Sequence, residues 1–211
     1  MSKLIVPFIQ PTHSSNTFVF SIEGSNGAGK TTLLNRYKEL NIDTECSLCV
    51  PEIYQTSKDM KNFMLFDSSA LCSALYYLAG AVEMCHCHDK NFTSVLFDRS
   101  IWSTFAAAYA KDESILPKLF KCLDVIKDDI LLPNLIVVLD VSFETAQQRI
   151  QNKVIGSEFD KDELNTFQKK KDFFRILQES GYPVVFLDVN ELTIGEVYDK
   201  FKETVRIFRR V

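Results

Sequence analysis

The hydrophobic positions of this chain follow two different spacings. Short, nearly continuous apolar runs predict buried strands at residues 17–22, 46–50, 94–97, 134–140 and 183–188. Between these runs, apolar residues recur every three or four positions, which predicts helices at residues 30–40, 69–87, 100–110, 113–127, 142–152, 161–180 and 192–209. Strands that alternate with helices form a parallel sheet with helices on its faces. The pattern therefore predicts an α/β fold, a three-layer sandwich around a five-stranded parallel sheet.

Single residues mark several of the predicted helix ends. Ser142 has the side chain of an N-cap, with Thr145 three residues later. Gly181 is a helix-stop signal, and Pro117 predicts a kink or break in the helix at residues 113–127.

A phosphate-binding loop is predicted between the first strand and the first helix, where the sequence matches G-x-x-x-x-G-K-[ST]. Glycines allow the backbone N–H groups to point at phosphate oxygens, and the positive end of the next helix faces the same anion. Lys30 adds a charge at the β- and γ-phosphates, and the Thr31 hydroxyl can ligate Mg²⁺. We therefore expect a nucleoside triphosphate to bind Gly24, Ser25, Asn26, Gly27, Ala28, Gly29, Lys30, Thr31 and Thr32.

A second group of polar residues stands at the end of the predicted third strand. Ligands of open α/β sheets bind at the carboxyl ends of the strands, so Asp98 is expected to point toward the phosphate loop. Its carboxylate can hold Mg²⁺-bound water or polarise an acceptor oxygen, and Arg99 can clamp an acceptor phosphate. An ion pair or cap at a strand end is the alternative. The guanine-reading Asn-Lys-x-Asp of GTPases and the Ser-Gly-Gly-Gln-like signature of transporter ATPases do not occur in the sequence.

The composition limits the classes of protein to which the chain can belong. Its 211 residues, 46% hydrophobic and 25% charged, suit one globular domain over 1–211, with residues 1–16 as an N-terminal extension. No apolar run approaches the ~20 residues that span a bilayer, and Pro7 and Pro11 interrupt the first apolar patch, so we expect no membrane span and no signal peptide. The net charge of −4 argues against nucleic acid as a partner.

The six cysteines are too sparse for a disulfide scaffold and predict reduced thiols in the cytoplasm. Cys46 and Cys49, together with the Cys-His-Cys-His run at 85–88, could supply four zinc ligands. In a strand, however, positions three apart point to opposite faces, and in a helix adjacent residues diverge. Buried or surface thiols are therefore the favoured interpretation.

Four segments resemble, in order, the thymidylate kinase and deoxynucleoside kinase group of nucleotide-metabolism kinases. They are FSIEGSNGAGKTT at 20–32, FDRSIWSTFAAAY at 97–109, LDVSFETAQQRI at 139–150 and FLDVN at 186–190. The resemblance implies a P-loop NTPase fold of the nucleoside and nucleotide kinase type, with ATP and Mg²⁺ as cofactors. It also implies catalytic roles for Lys30, Asp98 and Arg99, and Mg²⁺ ligation by Thr31 and Asp98.

The resemblance further implies a lid over the triphosphate at about residues 149–162. Arg149 and Lys153 stand four apart on one helical face, and either could stabilise charge on the transferring phosphoryl group. A solvated helix face is the alternative for Arg149, and it is the favoured interpretation of Lys169, Lys170 and Lys171.

The expected reaction is transfer of the γ-phosphoryl of ATP to a deoxynucleoside monophosphate, with thymidylate favoured (dTMP to dTDP). A deoxynucleoside kinase that acts on a 5′-hydroxyl is the first alternative, because Ser100 and Glu52 resemble that group, with Glu52 as candidate base or plain surface acid. A non-catalytic nucleotide-binding regulatory protein is the second. It is favoured by a lid poor in Arg and by the lack of an Arg late in the central helix, whereas the intact Gly-Lys-Thr argues against it. Asn26, where thymidylate kinases usually carry Asp, is a further departure from the family pattern. The apolar helix at 69–87 suggests pairing with a second copy as a homodimer.

Overall fold

The computed structural model describes residues 6–10, 17–41, 43–50, 57–88, 92–151 and 158–209, with backbone alone for residue 58 and residues 158–165. Its sheet has five parallel strands in the order β2-β3-β1-β4-β5. The strands are β1 (Phe18–Glu23), β2 (Thr44–Leu48), β3 (Ser94–Asp98), β4 (Leu135–Asp140) and β5 (Val184–Asp188). The predicted five-stranded parallel sheet is confirmed.

Eight α-helices occur in the described residues. They are α1 (Lys30–Leu40), α2 (Lys58–Asn62), α3 (Ala70–Cys87), α4 (Ile101–Lys111), α5 (Leu116–Ile126), α6 (Phe143–Gln151), α7 (Glu158–Glu179) and α8 (Ile194–Arg209). A π-helical turn, Phe63–Asp67, follows α2, and short 3-10 turns flank α5. Sequence analysis missed α2 and its π-helical turn because together they span only ten residues, too few to establish a period, and none of their described residues is buried.

The two faces of the sheet bury different side chains of the same strands. Phe20 of β1 packs with Leu33 of α1 and Phe201 of α8. On the opposite face, Ile136 and Val138 of β4 belong to a core that includes residues of α3, α4, α5 and α7. Burial on both faces explains why the central strands β1, β3 and β4 are nearly continuous apolar runs rather than alternating ones.

The strand register brings the chemistry to one edge of the sheet. Ile22 of β1 lies opposite Asp98 of β3, and Glu23 lies opposite Val138 of β4. The Arg99 N–H donates to the Ile22 carbonyl at 3.0 Å, which extends the ladder one step beyond β3. The phosphate loop and the Asp98–Arg99 pair therefore leave adjacent strands side by side.

Three predicted boundary signals act as caps or helix starts. The Ser142 hydroxyl accepts from the Thr145 N–H at 3.1 Å, and Gly181 takes a φ of 91° at the end of α7, so both predictions are confirmed. Pro117 lies in the first turn of α5 instead of kinking a longer helix, because a 3-10 turn precedes it. Strand β2 ends at Leu48, two residues before the predicted end, and Cys49 and Val50 leave the sheet.

The described part of the N-terminal extension packs on the core. Val6 and Ile9 are buried, and the Tyr182 hydroxyl donates to the Pro7 carbonyl at 2.7 Å and accepts from the Ile9 N–H at 2.9 Å. Burial raises the pKa of Tyr182 to about 12, so this hydroxyl keeps its proton at neutral pH.

Candidate active site

The phosphate loop is shaped by glycines at positive φ. Gly24 (φ 129°) and Gly27 (φ 81°) also lie against neighbouring backbone, because an added Cβ would come within 2.8 Å of the Leu139 carbonyl oxygen or 2.6 Å of the Ala146 carbonyl oxygen. At Gly29 (φ 95°) an added Cβ would meet nothing within 4 Å. The first two glycines therefore press the loop against β4 and α6, and the third borders open space at the start of α1.

Lys30 spans the loop from the first turn of α1. Its side chain is almost fully buried, and its ammonium group donates to the carbonyls of Gly24 at 3.0 Å and Ser25 at 2.7 Å. The ammonium thus lies inside the curve of the loop, where a bound triphosphate would meet it.

The donor pocket extends from the phosphate loop toward the loop after β5. Besides residues 26–32, it is lined by Asp98, Arg99, Arg149, Val189, Leu192, Ile194 and Val197. The last four form an apolar wall suited to the flat face of a base. Sequence analysis did not assign them, although apolar residues that follow a strand at its carboxyl end are a usable signal.

Arg149 is held at the boundary of this pocket. Its guanidinium donates to the carbonyls of Val189 at 3.0 Å, Asn190 at 3.4 Å and Gly27 at 3.4 Å. These contacts connect the phosphate loop to the loop after β5. Arg149 therefore lies beside the phosphate loop, not on a solvated helix face.

Thr31 and Asp98 fit the predicted Mg²⁺ site. Both line the donor pocket, one at the N-terminus of α1 and the other at the end of β3. Mg²⁺ binds through one or two protein oxygens together with phosphate oxygens and waters. A hydroxyl and a carboxylate beside an anion cradle are such a donor set.

The candidate zinc residues are placed differently. Cys46 lies on β2, and Cys49 lies beyond it in the wall of a cleft described below. Burial raises the pKa of Cys46 to about 11 and that of Cys49 to about 12, so both are protonated thiols. His88 contacts the Glu45 carboxylate, and no three His, Cys, Asp or Glu side chains in the described part of the chain cluster as metal ligands.

A second cleft opens between α3 and α4, and we call it the acceptor cleft. Its lining from α3 is Ala70, Ser73, Ala74 and Tyr77, and from α4 it is Ser103, Thr104, Ala107, Ala108 and Lys111. On each helix these residues lie three or four apart, so each helix contributes one face. Most of them are small, which leaves room for a ligand between two helices that pack on each other.

Arg99 lies where the donor pocket and the acceptor cleft meet. It lines both, and its guanidinium donates to the Gly24 carbonyl at 3.2 Å and to Asn26 Oδ1 at 3.0 Å. Its backbone φ of 67° is the only positive value among the described residues other than glycine. Asn26, the departure noted in the sequence, thus serves as a hydrogen-bond acceptor for Arg99.

Glu23 is a buried carboxylate directly behind this arginine. It is fully buried, its Oε1 accepts from the Ser100 N–H and hydroxyl at 2.6 Å each, and its Oε2 accepts from the Ser103 hydroxyl. Burial raises the pKa of Glu23, and the hydrogen bonds from Ser100 and Ser103 partly offset that rise. Sequence analysis quoted Glu23 only within a resemblance, although a charged residue that ends an apolar strand was a visible signal.

The three adjacent lysines of α7 differ from one another. Lys170 lines the acceptor cleft, Lys171 pairs with Asp140, and Lys169 is exposed with its ammonium 3.4 Å from the Ala110 carbonyl. The solvated-face prediction was therefore wrong for Lys170 and Lys171, because α7 packs across α4 and turns these side chains inward. Two other predicted residues, Glu52 and Lys153, lie outside the described residues, as do residues 152–157 of the predicted lid.

Comparison with known proteins agrees with this geometry. A family model described as thymidylate kinase matches residues 22–200. The solved structure of thymidylate kinase from Candida albicans is similar with a TM-score of 0.69 at 21% identity, over 92% of this chain and 93% of that chain. No curated protein sequence matches the chain. The structural likeness establishes the fold, whereas the family model spans both clefts.

Proposed function

The chain belongs to the thymidylate kinase family and is a nucleoside monophosphate kinase, and we propose that its two clefts divide that work. ATP binds the donor pocket, dTMP binds the acceptor cleft, and the γ-phosphoryl group passes between them to give ADP and dTDP. The position of Arg99 carries this assignment, since it lies in both clefts and can meet the phosphates of both substrates.

On the donor side, the loop N–H groups and the Lys30 ammonium hold the triphosphate. Thr31 and Asp98 would hold Mg²⁺, which when bound supplies charge neutralisation at the phosphate oxygens. Arg149 orders the loop after β5 against the phosphate loop through its three carbonyl contacts. The apolar wall that includes Val189, Leu192 and Ile194 excludes water from the adenine base of ATP.

On the acceptor side, Arg99 holds the acceptor phosphate at the end of the cleft nearest the phosphate loop. The base lies farther along α4, against Thr104 and Ala107 on one side and Tyr77 on the other. Lys170 adds a positive charge from α7 at the same cleft. Catalysis then consists of positioning and charge stabilisation, because phosphoryl transfer needs little covalent participation from the protein.

The two alternatives are not favoured. Family membership supports phosphorylation of a monophosphate over phosphorylation of a nucleoside 5′-hydroxyl, and an enzyme over a non-catalytic binding protein. The candidate base of the nucleoside kinase alternative, Glu52, lies outside the described residues.

The test is product analysis with ATP, Mg²⁺ and a panel of deoxynucleosides and their monophosphates. We expect dTDP from dTMP and no dTMP from thymidine. ATP binding without any phosphorylated product would contradict the proposal in favour of a binding protein. Products from nucleosides alone would support a nucleoside kinase.

We also propose that the exposed face of α3 pairs with a second copy of the chain. Among the described residues, α3 is the one helix long and apolar enough to cross a membrane by length and composition, yet one of its faces lines the acceptor cleft. On α3 itself Leu75 is 43% exposed, and in the segment that precedes α3 Met60 and Phe63 are 45% and 48% exposed. Leu75 and Ala79 lie four apart, so two α3 helices could cross closely at Ala79.

Solution mass tests this pairing. We expect a dimer for the natural chain and a monomer for Leu75→Glu, which places a charge in the shared face. Val125→Glu is the matched control, because Val125 is an exposed apolar residue that lies on α5 and not on α3. A monomeric natural chain would contradict the proposal.

A further inference from the structure

Glu23 is the one fully buried acidic residue of the described chain, and its contacts all reach the first turn of α4. A carboxylate at a helix N-terminus is stabilised by the free N–H groups and the positive end of the helix dipole. Here the carboxylate comes from β1 instead of from α4 itself. Glu23 thereby connects the end of β1 to α4, the helix that follows the neighbouring strand β3.

Arg99 lies between the end of β1 and the start of α4. The Arg99 N–H donates to the carbonyl of Ile22, which directly precedes Glu23 in β1. Ser100, which directly follows Arg99, donates its N–H and its hydroxyl to the Glu23 carboxylate. Arg99 is thus held on both sides while it adopts a left-handed φ of 67°. A non-glycine residue keeps such a conformation only where its surroundings enforce it.

The left-handed turn also decides where the guanidinium lies. From Arg99 the side chain reaches back to the Gly24 carbonyl at 3.2 Å and Asn26 Oδ1 at 3.0 Å. Ser103, which donates to Glu23, lies 3.5 Å from the same guanidinium. One network therefore runs from the Glu23 carboxylate through the first turn of α4 to the cation at the junction of the two clefts.

We propose that Glu23 is a positioning residue for phosphoryl transfer: its carboxylate fixes the turn at 99–103 so that the Arg99 guanidinium bridges the phosphate loop and the acceptor cleft. This inference rests on the proposed kinase function. Glu23 itself touches no substrate, since it is fully buried behind the arginine.

A double-mutant cycle on dTMP phosphorylation tests the inference. Glu23→Gln keeps the shape of the side chain but removes its charge, and we expect kcat/KM for dTMP to fall about 10- to 100-fold, the value of a charged hydrogen-bond network. Arg99→Ala should lower the same quantity at least as much. In the Arg99→Ala background, Glu23→Gln should cost no more than about twofold, because the residue through which Glu23 acts is already gone.

Ser21→Ala is the matched control. Ser21 is a buried polar residue on the same face of β1, and its hydroxyl has no hydrogen-bond partner within the described part of the chain. Its replacement should leave kcat/KM within about twofold of the natural chain. Ser103→Ala is the second variant, for use if Glu23→Gln does not fold. It removes one hydrogen bond to Glu23 and keeps the carboxylate. It should reduce kcat/KM with the same division between kcat and KM as Arg99→Ala.

Two results would overturn the inference. One is an unchanged kcat/KM for dTMP in folded Glu23→Gln or Ser103→Ala. The other is a Glu23→Gln, Arg99→Ala double variant whose loss of kcat/KM equals the product of the two single losses. The same cycle measured by thermal unfolding should show coupling between Glu23 and Arg99 whether or not the chain turns over dTMP. Absence of dTDP from the natural chain would therefore contradict the kinase function, whereas absence of coupling would contradict the role of Glu23.

Discussion

The donor pocket and the acceptor cleft are built in different ways. Seven consecutive residues, 26–32, make up half of the lining of the donor pocket, and three of them, Gly27, Ala28 and Gly29, can offer a phosphate only their backbone N–H groups. The acceptor cleft takes side chains from α3, α4 and α7, from the residues after β2, and from the π-helical turn. The comparison teaches that phosphate binding is encoded locally, whereas acceptor recognition depends on how helices pack.

The largest expected effect is on the donor side. Lys30→Met removes the ammonium inside the phosphate loop and should lower kcat about 1000-fold, the scale of losing a key charge-stabilising group. Circular dichroism should show a folded protein, because Met fills a similar buried volume. Activity near that of the natural chain would remove Lys30 from the transfer step.

Replacements of apolar lining residues should separate the two regions. Ala107→Leu fills the acceptor cleft and should raise the KM for dTMP about tenfold while the KM for ATP stays unchanged, since Ala107 lines that cleft alone. Leu192→Ala, in the donor pocket, should do the reverse and raise the KM for ATP about fivefold. Steady-state kinetics with each substrate varied in turn measures both, and a shift of both constants in either variant would break the division.

A smaller effect is expected from α7. Lys170→Ala removes a cation from the acceptor cleft and should lower kcat/KM for dTMP about fivefold, the size of one partly exposed charge interaction. Lys169→Ala changes the exposed neighbour and should have no measurable effect. Equal values of kcat/KM for dTMP in Lys170→Ala and Lys169→Ala would mean that both lysines lie on a solvated face of α7.

The smallest effect concerns pH. Because burial raises the pKa of Glu23 above that of the unfolded chain, the folded state binds the proton more tightly in the window between the two pKa values. The contribution of this group to the free energy of unfolding is therefore largest on the acid side and falls as pH rises through the raised pKa. Denaturant unfolding at a series of pH values should show this fall for the natural chain, and Glu23→Gln should lack it.

Much of this molecule could be predicted from local sequence. The central strands β1, β3 and β4 were recognisable because burial on both faces makes each one a nearly continuous apolar run. Lys30 and Thr31 lie at the start of α1 and Asp98 at the end of β3, where sequence analysis placed them. The segment at 58–67 could not be predicted because ten residues are too few to establish a period and its described side chains are exposed or half-buried. Lys170 was misassigned because charge patterning does not reveal that α7 crosses α4.

By itself the sequence determined the sheet, the phosphate loop and the family resemblance, because each depends on residues that are neighbours in the chain. Only the tertiary structure decided that Glu23 reaches Ser100 and Ser103, and that Arg99 reaches Asn26. These partners are more than 70 residues apart and meet because β1 and β3 lie side by side. The same strand pairing places the acceptor cleft next to the phosphate loop, and that proximity is what allows a phosphoryl group to pass between them.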